Sequence, residues 1–446
     1  MNLLTEGITI GAVIKTDRAT KLTVDGLTDT YVIYQVRLDY LYFNDQNDRI
    51  ATWISQYKAE NGITSISMED VDKYNDIIQG FITKSNPDKL KQTEKNIELI
   101  GQQKYGVVLT DGRIIDGNRR FSCLRNLSKK SNKFNYFETV ILKRDYEHNA
   151  KQIKMLELQV QIGEEARVDY NPIDRLVGVY RDLVKDKLLT ISEYARSANM
   201  KEKDVEKQIE YAKLLVEFLE AINAPEQFYI ARDMDLNGPL VELYGILNKI
   251  KDEDKRQEVK YIVFTNFLMA PSGDMTRFVR NLKKVTSSNY LDEFIEKETN
   301  ISEEVLDGLP EIGKVTPDTI AKVRANKDIV EQLGNEMEIV SNKVKVSEVR
   351  NKPGQILTKA VDSILSIDLV IINKLTNEQR EEIAESIVRV LQMMWDLRNF
   401  TGLHGIFRMK TNIRENMQKR WRQLKRRYSL NMKNIQHRKK KKREKK

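Results

Sequence analysis

Apolar and polar positions follow different rhythms in the two halves of this chain. Between residues 7 and 38 three apolar runs, TIGAVI, KLTV and YVIYQVRL, are separated by glycine and polar residues. Short runs bounded in this way predict strands. The string NDQND at 44–48 predicts a turn, and IATWISQY after it the start of a helix. Residues 60–100 are polar with mostly helical spacing. The segment YGVVLTDGRIIDGNRRFSCLRNL is the most informative. Val107–Leu109 predicts a short strand, Asp111-Gly112 a hairpin turn and Arg113–Ile115 the returning strand. Asp116-Gly117-Asn118 predicts a tight turn. The helix after it, Arg119 to Leu127, places Phe121, Leu124 and Leu127 on one side. FETVIL at 137–142 predicts a further strand. Together these elements predict a small α/β domain over residues 1–145.

From Tyr146 onward the period is helical. Thr190 and Glu193 have the spacing of a capping box. The helix behind them carries Ala195 and Ala198 and breaks at Asn199-Met200. A second helix starts at about Lys201 and keeps Val205, Ile209, Ala212 and Val216 on one face. Two helices joined by a short turn, with small residues at their contact, predict a helix-turn-helix. Two packed helices with no DNA role have the same pattern. Further on, Thr376 and Gln379 predict another cap. Behind it Ile383, Ile387, Val390, Leu391, Met394 and Trp395 form an apolar stripe, suited to a core or a partner helix. The chain is thus expected to be α+β: an α/β domain at 1–145, a helical segment with a helix-turn-helix at 146–230, an all-helical domain at 231–418 and a basic tail at 419–446.

Composition and charge sharpen this picture. A length of 446 residues suits roughly three domains at about 150 residues each. A single cysteine, Cys123, excludes an internal disulfide framework, and three widely separated histidines leave no His/Cys zinc cluster. No apolar run approaches the roughly 20 residues of a membrane span. The first residues, MNLLTEGITIG, lack the basic start and apolar stretch of a secretion signal, so a soluble, cytoplasmic protein is expected. The net charge of +9 is uneven: residues 419–446 hold 15 Lys/Arg against Glu444, a net +14, and the rest of the chain carries −5. Such a tail suits a polyanion, nucleic acid above all, although a solubilising tail has the same composition. Arg422, Lys425, Arg426, Arg427, Arg438, Lys439 and Lys440 are its candidate DNA contacts. Trp421 and Tyr428 lie among these bases and could stack on nucleobases or pack a last helix. Lys201, Lys203 and Lys207, near the start of the second helix of the helix-turn-helix, are the other candidates. Acids balance the bases of that helix, so DNA binding by this unit would need the tail as well.

A glycine turn at a helix start with arginine in its first turn is suited to an anion. Backbone N–H groups and the helix dipole point at the ligand, and arginine adds forked contacts to phosphate oxygens. Asp116 could hold a metal or orient an arginine; a purely structural turn would pair it with Arg119 or Arg120. Cys123 lies a helical turn downstream among core positions, which suits a small core residue better than a nucleophile.

IDGNRRFSCLRNL resembles the arginine motif of the ParB/sulfiredoxin-like superfamily, in particular of the chromosome-partition protein ParB. Gly117, Arg119 and Arg120 match; Asn118 stands in place of Glu, and Cys123 in place of Ala. FNDQNDRI is similar to the upstream box of that family through Asn44 and Arg49, without its prolines. ARVDYNPIDRLVGVYRDLV resembles the segment leading into the family's helix-turn-helix through Arg167, Asn171, Pro172 and Asp174. These boxes and the helix-turn-helix fall in the family's order over residues 30–225.

The resemblance implies a ParB-like DNA-binding protein of partition or regulatory type, of bacterial or phage origin, gated by CTP and working as a homodimer. Asn44, Arg49, Asp116, Gly117, Asn118, Arg119 and Arg120 would hold the nucleotide, with CTP and Mg2+ as cofactors. The family has an acid near the metal four residues before its linking arginine. This chain has Gly163 there, with Glu164 and Glu165 beside it, which leaves slow CTP hydrolysis open. Two alternatives stand beside this reading. One is a ParB-type nuclease or NTPase of a mobile-element or defence system, with Asp111 and Asp116 holding metal. The other is an interaction protein whose helical half docks a protein partner while the N-domain acts as a sensor.

Overall fold

The computed structural model describes residues 1–24, 26–144, 146–160, 171–368, 371 and 374–400. The tail candidates Arg422, Lys425, Arg426, Arg427, Arg438, Lys439 and Lys440 lie outside the described residues, as do Arg167 and the acids at 164 and 165. The chain divides into two compact units, Met1–Arg350 and Asn351–Lys446.

The first unit begins with a sheet. Its strands are β1 (Val13–Val24), β2 (Leu27–Arg37), β3 (Tyr42–Phe43), β4 (Gly106–Leu109), β5 (Arg113–Asp116) and β6 (Tyr136–Leu142). They lie in the order β1-β2-β6-β4-β5-β3. β4 runs parallel to β6, β3 parallel to β5, and the remaining pairs are antiparallel. The mixed sheet followed by helices is the α+β architecture expected from the sequence pattern. TIGAVI contributes only its end to β1. Leu3–Gly7 instead form a π-helical turn, whose first amides are capped by Asn2, and Gly11 turns the chain at φ 73°. Leu3 is buried there, its amide donating to Thr110 O at 2.8 Å.

The sheet is buried on both faces around its centre, as the parallel β4–β6 pairing requires. Successive residues alternate between two cores. Val108, Ile114, Ile141 and Phe137 enter one core. Val107, Leu109, Ile115 and Val140 enter the other, together with Ile153 and Leu156 of α5 (Tyr146–Leu158). The first core is covered by α2 (Val71–Ser85), α3 (Pro87–Ile100) and α4 (Asn118–Ser128). α1 (Ala51–Asn61) instead joins the sheet layer to the helices. Its Trp53 lies 3.8 Å beneath the guanidinium of Arg232, and its Ser55 hydroxyl accepts from the Tyr229 amide at 3.2 Å.

The helical half of the first unit runs from α6 (Pro172–Val179) through α7 (Ile191–Ser197), α8 (Glu202–Ala221), α9 (Phe228–Asp233), α10 (Asn237–Leu247), α11 (Glu253–Met269), α12 (Met275–Thr286), α13 (Leu291–Asp307) and α14 (Pro317–Arg324) to the first part of α15 (Lys327–Leu365), up to Arg350. One apolar core spans these elements, with Phe218, Phe264, Phe267 and Phe294 among its fully buried rings. In the second unit, α16 (Asn377–Phe400) is capped by Thr376 and Gln379 through reciprocal hydrogen bonds of 3.1 and 3.3 Å. Of its stripe, Ile387, Val390, Leu391, Met394 and Trp395 are exposed. No helix among the described residues is long and apolar enough to cross a membrane.

Candidate functional site

The turn between β5 and α4 opens on a cavity of about 400 Å³. Gly117 is the N-cap of α4 at φ 100°, ψ 15°. That conformation suits glycine, and here sterics demand it as well. A β-carbon at 117 would lie 2.7 Å from the Phe137 ring and 3.1 Å from Arg120 Nη2. No side chain caps the helix start, so the first amides of α4 lack an intrahelical acceptor. The helix is held from its far side. Phe121, Cys123, Leu124 and Leu127 are buried in the sheet core, and Phe121 meets the Phe43 and Phe137 rings edge-on at 4.8 and 6.0 Å.

Arg49, Lys104, Arg119 and Arg120 bring four cationic side chains to the cavity. One acid, Asp116, shares it, and that acid is engaged: Arg120 Nη2 donates to Asp116 Oδ2 at 2.7 Å and to Tyr105 O at 3.2 Å. Two buried polar atoms at the turn have no hydrogen-bond partner, Asn118 Oδ1 and Arg120 Nε. An orphaned polar atom in a folded protein marks a place for water, an ion or a ligand. The opposite wall comes from α3, with Gln92, Thr93 and Asn96 above Ile97. The segment 101–104 forms a rim. Gln102 fixes it by exchanging hydrogen bonds of 2.9 and 2.7 Å with the backbone of Glu138 in β6.

Six of the seven residues expected at the site therefore converge: Arg49, Asp116, Gly117, Asn118, Arg119 and Arg120 line one cavity. Asn44 does not. It is buried one turn away, where its Oδ1 accepts from Gln46 N at 3.1 Å and Arg113 Nη1 at 3.3 Å. Asn47 lines the cavity instead and caps the turn carrying Arg49, accepting from Arg49 N at 3.0 Å. The same NDQND string holds both asparagines, and the nearness of Asn47 to Arg49 was the available signal. Lys104, two residues before β4, carried no signal of its own.

Magnesium would require several oxygen ligands. Asp116 is committed to Arg120, and Asn118 Oδ1 is a single oxygen, so the described residues do not assemble a metal site at the turn. Asp111 lies in the turn before β5 and Asp116 is its last residue, so the whole strand, three steps of about 3.3 Å, lies between them, and no group of acids that could hold a metal ion forms among the described residues. Asp111 accepts from the Tyr42 hydroxyl at 2.5 Å. Cys123 is fully buried, and burial foremost pushes its thiol up to about 12, which fits a core residue rather than a nucleophile.

Behind the same turn lies a buried group of charges. Asp48, beside Arg49 in the chain, accepts two hydrogen bonds of 2.8 Å from Lys154 Nζ and another from Arg181. Asp182 Oδ2 and Glu157 Oε2 stand 3.3 and 3.7 Å from the same ammonium. Arg181 Nε donates to Asp182 at 3.2 Å. Burial alone would lower the Lys154 ammonium, but Asp48, Glu157 and Asp182 hold it above its ordinary value. Burial pushes Glu157 and Asp182 up, with Lys154 opposing. A β-carbon on Gly178 of α6 would come within 2.6 Å of the Asp48 carboxylate, so only glycine lets α6 close over it. Next to it Asp174 accepts from Thr52 N at 2.8 Å, and burial first of all pushes this carboxyl to about 7.

Two helices joined by a short turn form where the spacing predicts them. Thr190 and Glu193 make a reciprocal capping box, Asn199 turns the chain at φ 51°, and Lys201 is the N-cap of α8. Val205 and Ala212 are buried, with Ile209 and Val216 packed at the edge of the core. Lys201, Lys203 and Lys207 are exposed. The pair is tied to α5 by an ion pair of 2.7 Å between Lys151 and Glu193.

No protein-family model matches the chain, and no curated protein does. Among solved structures, a Pnob8-like ParB-N domain is similar at 11% identity and a TM-score of 0.35, over 64% of this chain and all of that one. The C-terminally truncated chromosome-partitioning protein ParB from Caulobacter crescentus, complexed with CTP-γ-S, is similar at 10% identity and a TM-score of 0.17, over 57% of this chain and 99% of that one.

Proposed function

We propose that this chain is a ParB-like DNA-binding protein whose Gly117 turn takes the phosphates of a nucleotide, CTP by family resemblance. The observation that carries this reading is the lining of the turn cavity: four cationic side chains, an uncapped helix start and the buried, unsatisfied Arg120 Nε gather there with one acid. A triphosphate is the anion such a lining suits. It accepts from the first amides of α4 and from the guanidinium groups in forked geometry. The order of the sequence boxes supports the same reading. DNA contact would come from Lys201, Lys203 and Lys207 on exposed helix positions and from the basic tail, with a homodimer as the working unit.

The test is calorimetric titration of the whole protein with CTP, ATP, GTP and UTP, with and without magnesium and duplex DNA. Selective CTP binding that is lost in Arg119→Ala, with the far-ultraviolet spectrum unchanged, is the expected result. Absence of binding for all four nucleotides ends the nucleotide half of the proposal. For the tail, deletion of residues 419–446 should flatten the dependence of log K on log salt. An unchanged slope removes the tail from the DNA interface.

A further inference from the structure

We infer that the first unit contains a second small-molecule site, on the other side of the 44–51 segment from the turn cavity, suited to a monoanion with an apolar body. The segment is a partition. Asn47, Arg49 and Ile50 face the turn cavity, whereas Asp45, Gln46 and Ala51 line a second cavity of about 520 Å³. This volume lies within the range of ligand pockets, and the junction of two layers is a usual place for one. α1 and the turn after it form one wall; α6, its π-helical continuation and the residues entering α9 form the other.

The chemistry of the lining sets the ligand class. Ala59, Ile63 and Pro225 supply an apolar surface, backed by the buried Ile54, Val177 and Phe228. Two acids line the cavity, and both are compensated. Asp45 stands 3.7 Å from Arg113, and Glu226 is hydrogen-bonded to Lys185. Arg181 divides its charge between Asp48 and Asp182 and donates to Gln46 O at 3.1 Å. The half-buried Lys58 is different: its ammonium meets no acid among the described residues. A cavity with one uncompensated cation beside an apolar surface selects a single negative charge on an apolar frame. A polyphosphate would leave most of its charge unmatched.

The experiment separates charge from shape with two probes of the same frame. 2-Naphthoate carries the charge and 2-naphthamide does not. Both are titrated into the full chain by calorimetry at about 0.15 M salt, where loose surface attraction is screened. Naphthoate should bind at least about tenfold tighter than naphthamide, the scale of one charge-assisted hydrogen bond. Lys58→Arg should keep that ratio, and Lys58→Met should bring it to about one while leaving the fold intact. Arg119→Ala, in the turn cavity, should leave it unchanged. Equal binding of the two probes overturns the inference, as does no naphthoate binding at millimolar concentration or a preference that survives Lys58→Met. Loss of the preference in Arg119→Ala would place the anion in the turn cavity and overturn it too. Since no nucleotide is used, failure here is distinguishable from failure of the nucleotide proposal.

Discussion

Two clusters of basic side chains lie on either side of Arg49, and their opposite charge balance separates their roles. At the Gly117 turn, four cationic side chains face one acid around an open cavity. At the junction behind it, Lys154 is sealed and Arg181 held at its edge among Asp48, Glu157 and Asp182. The residue types are alike. In the junction every cation has its counter-charge inside the protein, so the cluster serves as a fastening between the sheet layer and the helices. At the turn cationic side chains outnumber acids in the lining of an open cavity, which suits the cluster to an anion from outside.

Substitutions that disturb one cluster should therefore leave the other's property intact. The largest effect is expected from Lys154→Met, which leaves Arg181 alone to face three buried carboxylates. The unfolding free energy should fall by about 3–5 kcal/mol, read from urea denaturation, and a loss below 1 kcal/mol would mean that the junction is not a fastening. Gly117→Val comes next. The positive φ and the contact with Phe137 should cost about 2 kcal/mol or more and close the turn to anions, measured by denaturation and by pyrophosphate titration.

Glu157→Gln should act in a pH-dependent way. Because burial raises the folded-state pKa of this acid, the folded protein holds its proton longer than the unfolded chain does. Its contribution to stability is present at acid pH and is lost as pH rises above the ordinary carboxylate range. The variant should thus gain about 1 kcal/mol relative to wild type between pH 5 and pH 8. A gain on acidification instead would reverse the assigned sign. The smallest stability effect belongs to Arg119→Ala, within about 0.5 kcal/mol of wild type, yet it should abolish anion binding at the turn. A large loss of stability there would make the turn a second fastening and erase the comparison.

Much of the architecture was legible in the order of residues. The alternation in Val107–Leu109 and Arg113–Ile115, the glycine turn and the capping box at Thr190 each arise within a few residues, and each formed as the pattern predicts. The first strand was legible only in part. Ile8 and Ile10 have the composition of a strand, but the buried Leu3 and the Asn2 cap turn the chain into a helical start. Asn44 and Asn47 could not be told apart by type. Packing sends one toward Arg113 and the other to the cavity.

The sequence by itself determined many of the elements, among them the capped helix at Thr190 and the glycine turn before α4, because backbone geometry, capping and side-chain period act between near neighbours. Only the tertiary structure decided which charges are spent and which remain. Asp48 and Lys154 meet across 106 residues and Asp48 and Arg181 across 133. Charge compensation over such separations leaves no periodic trace, since it depends on which surfaces come together when the helices close on the sheet.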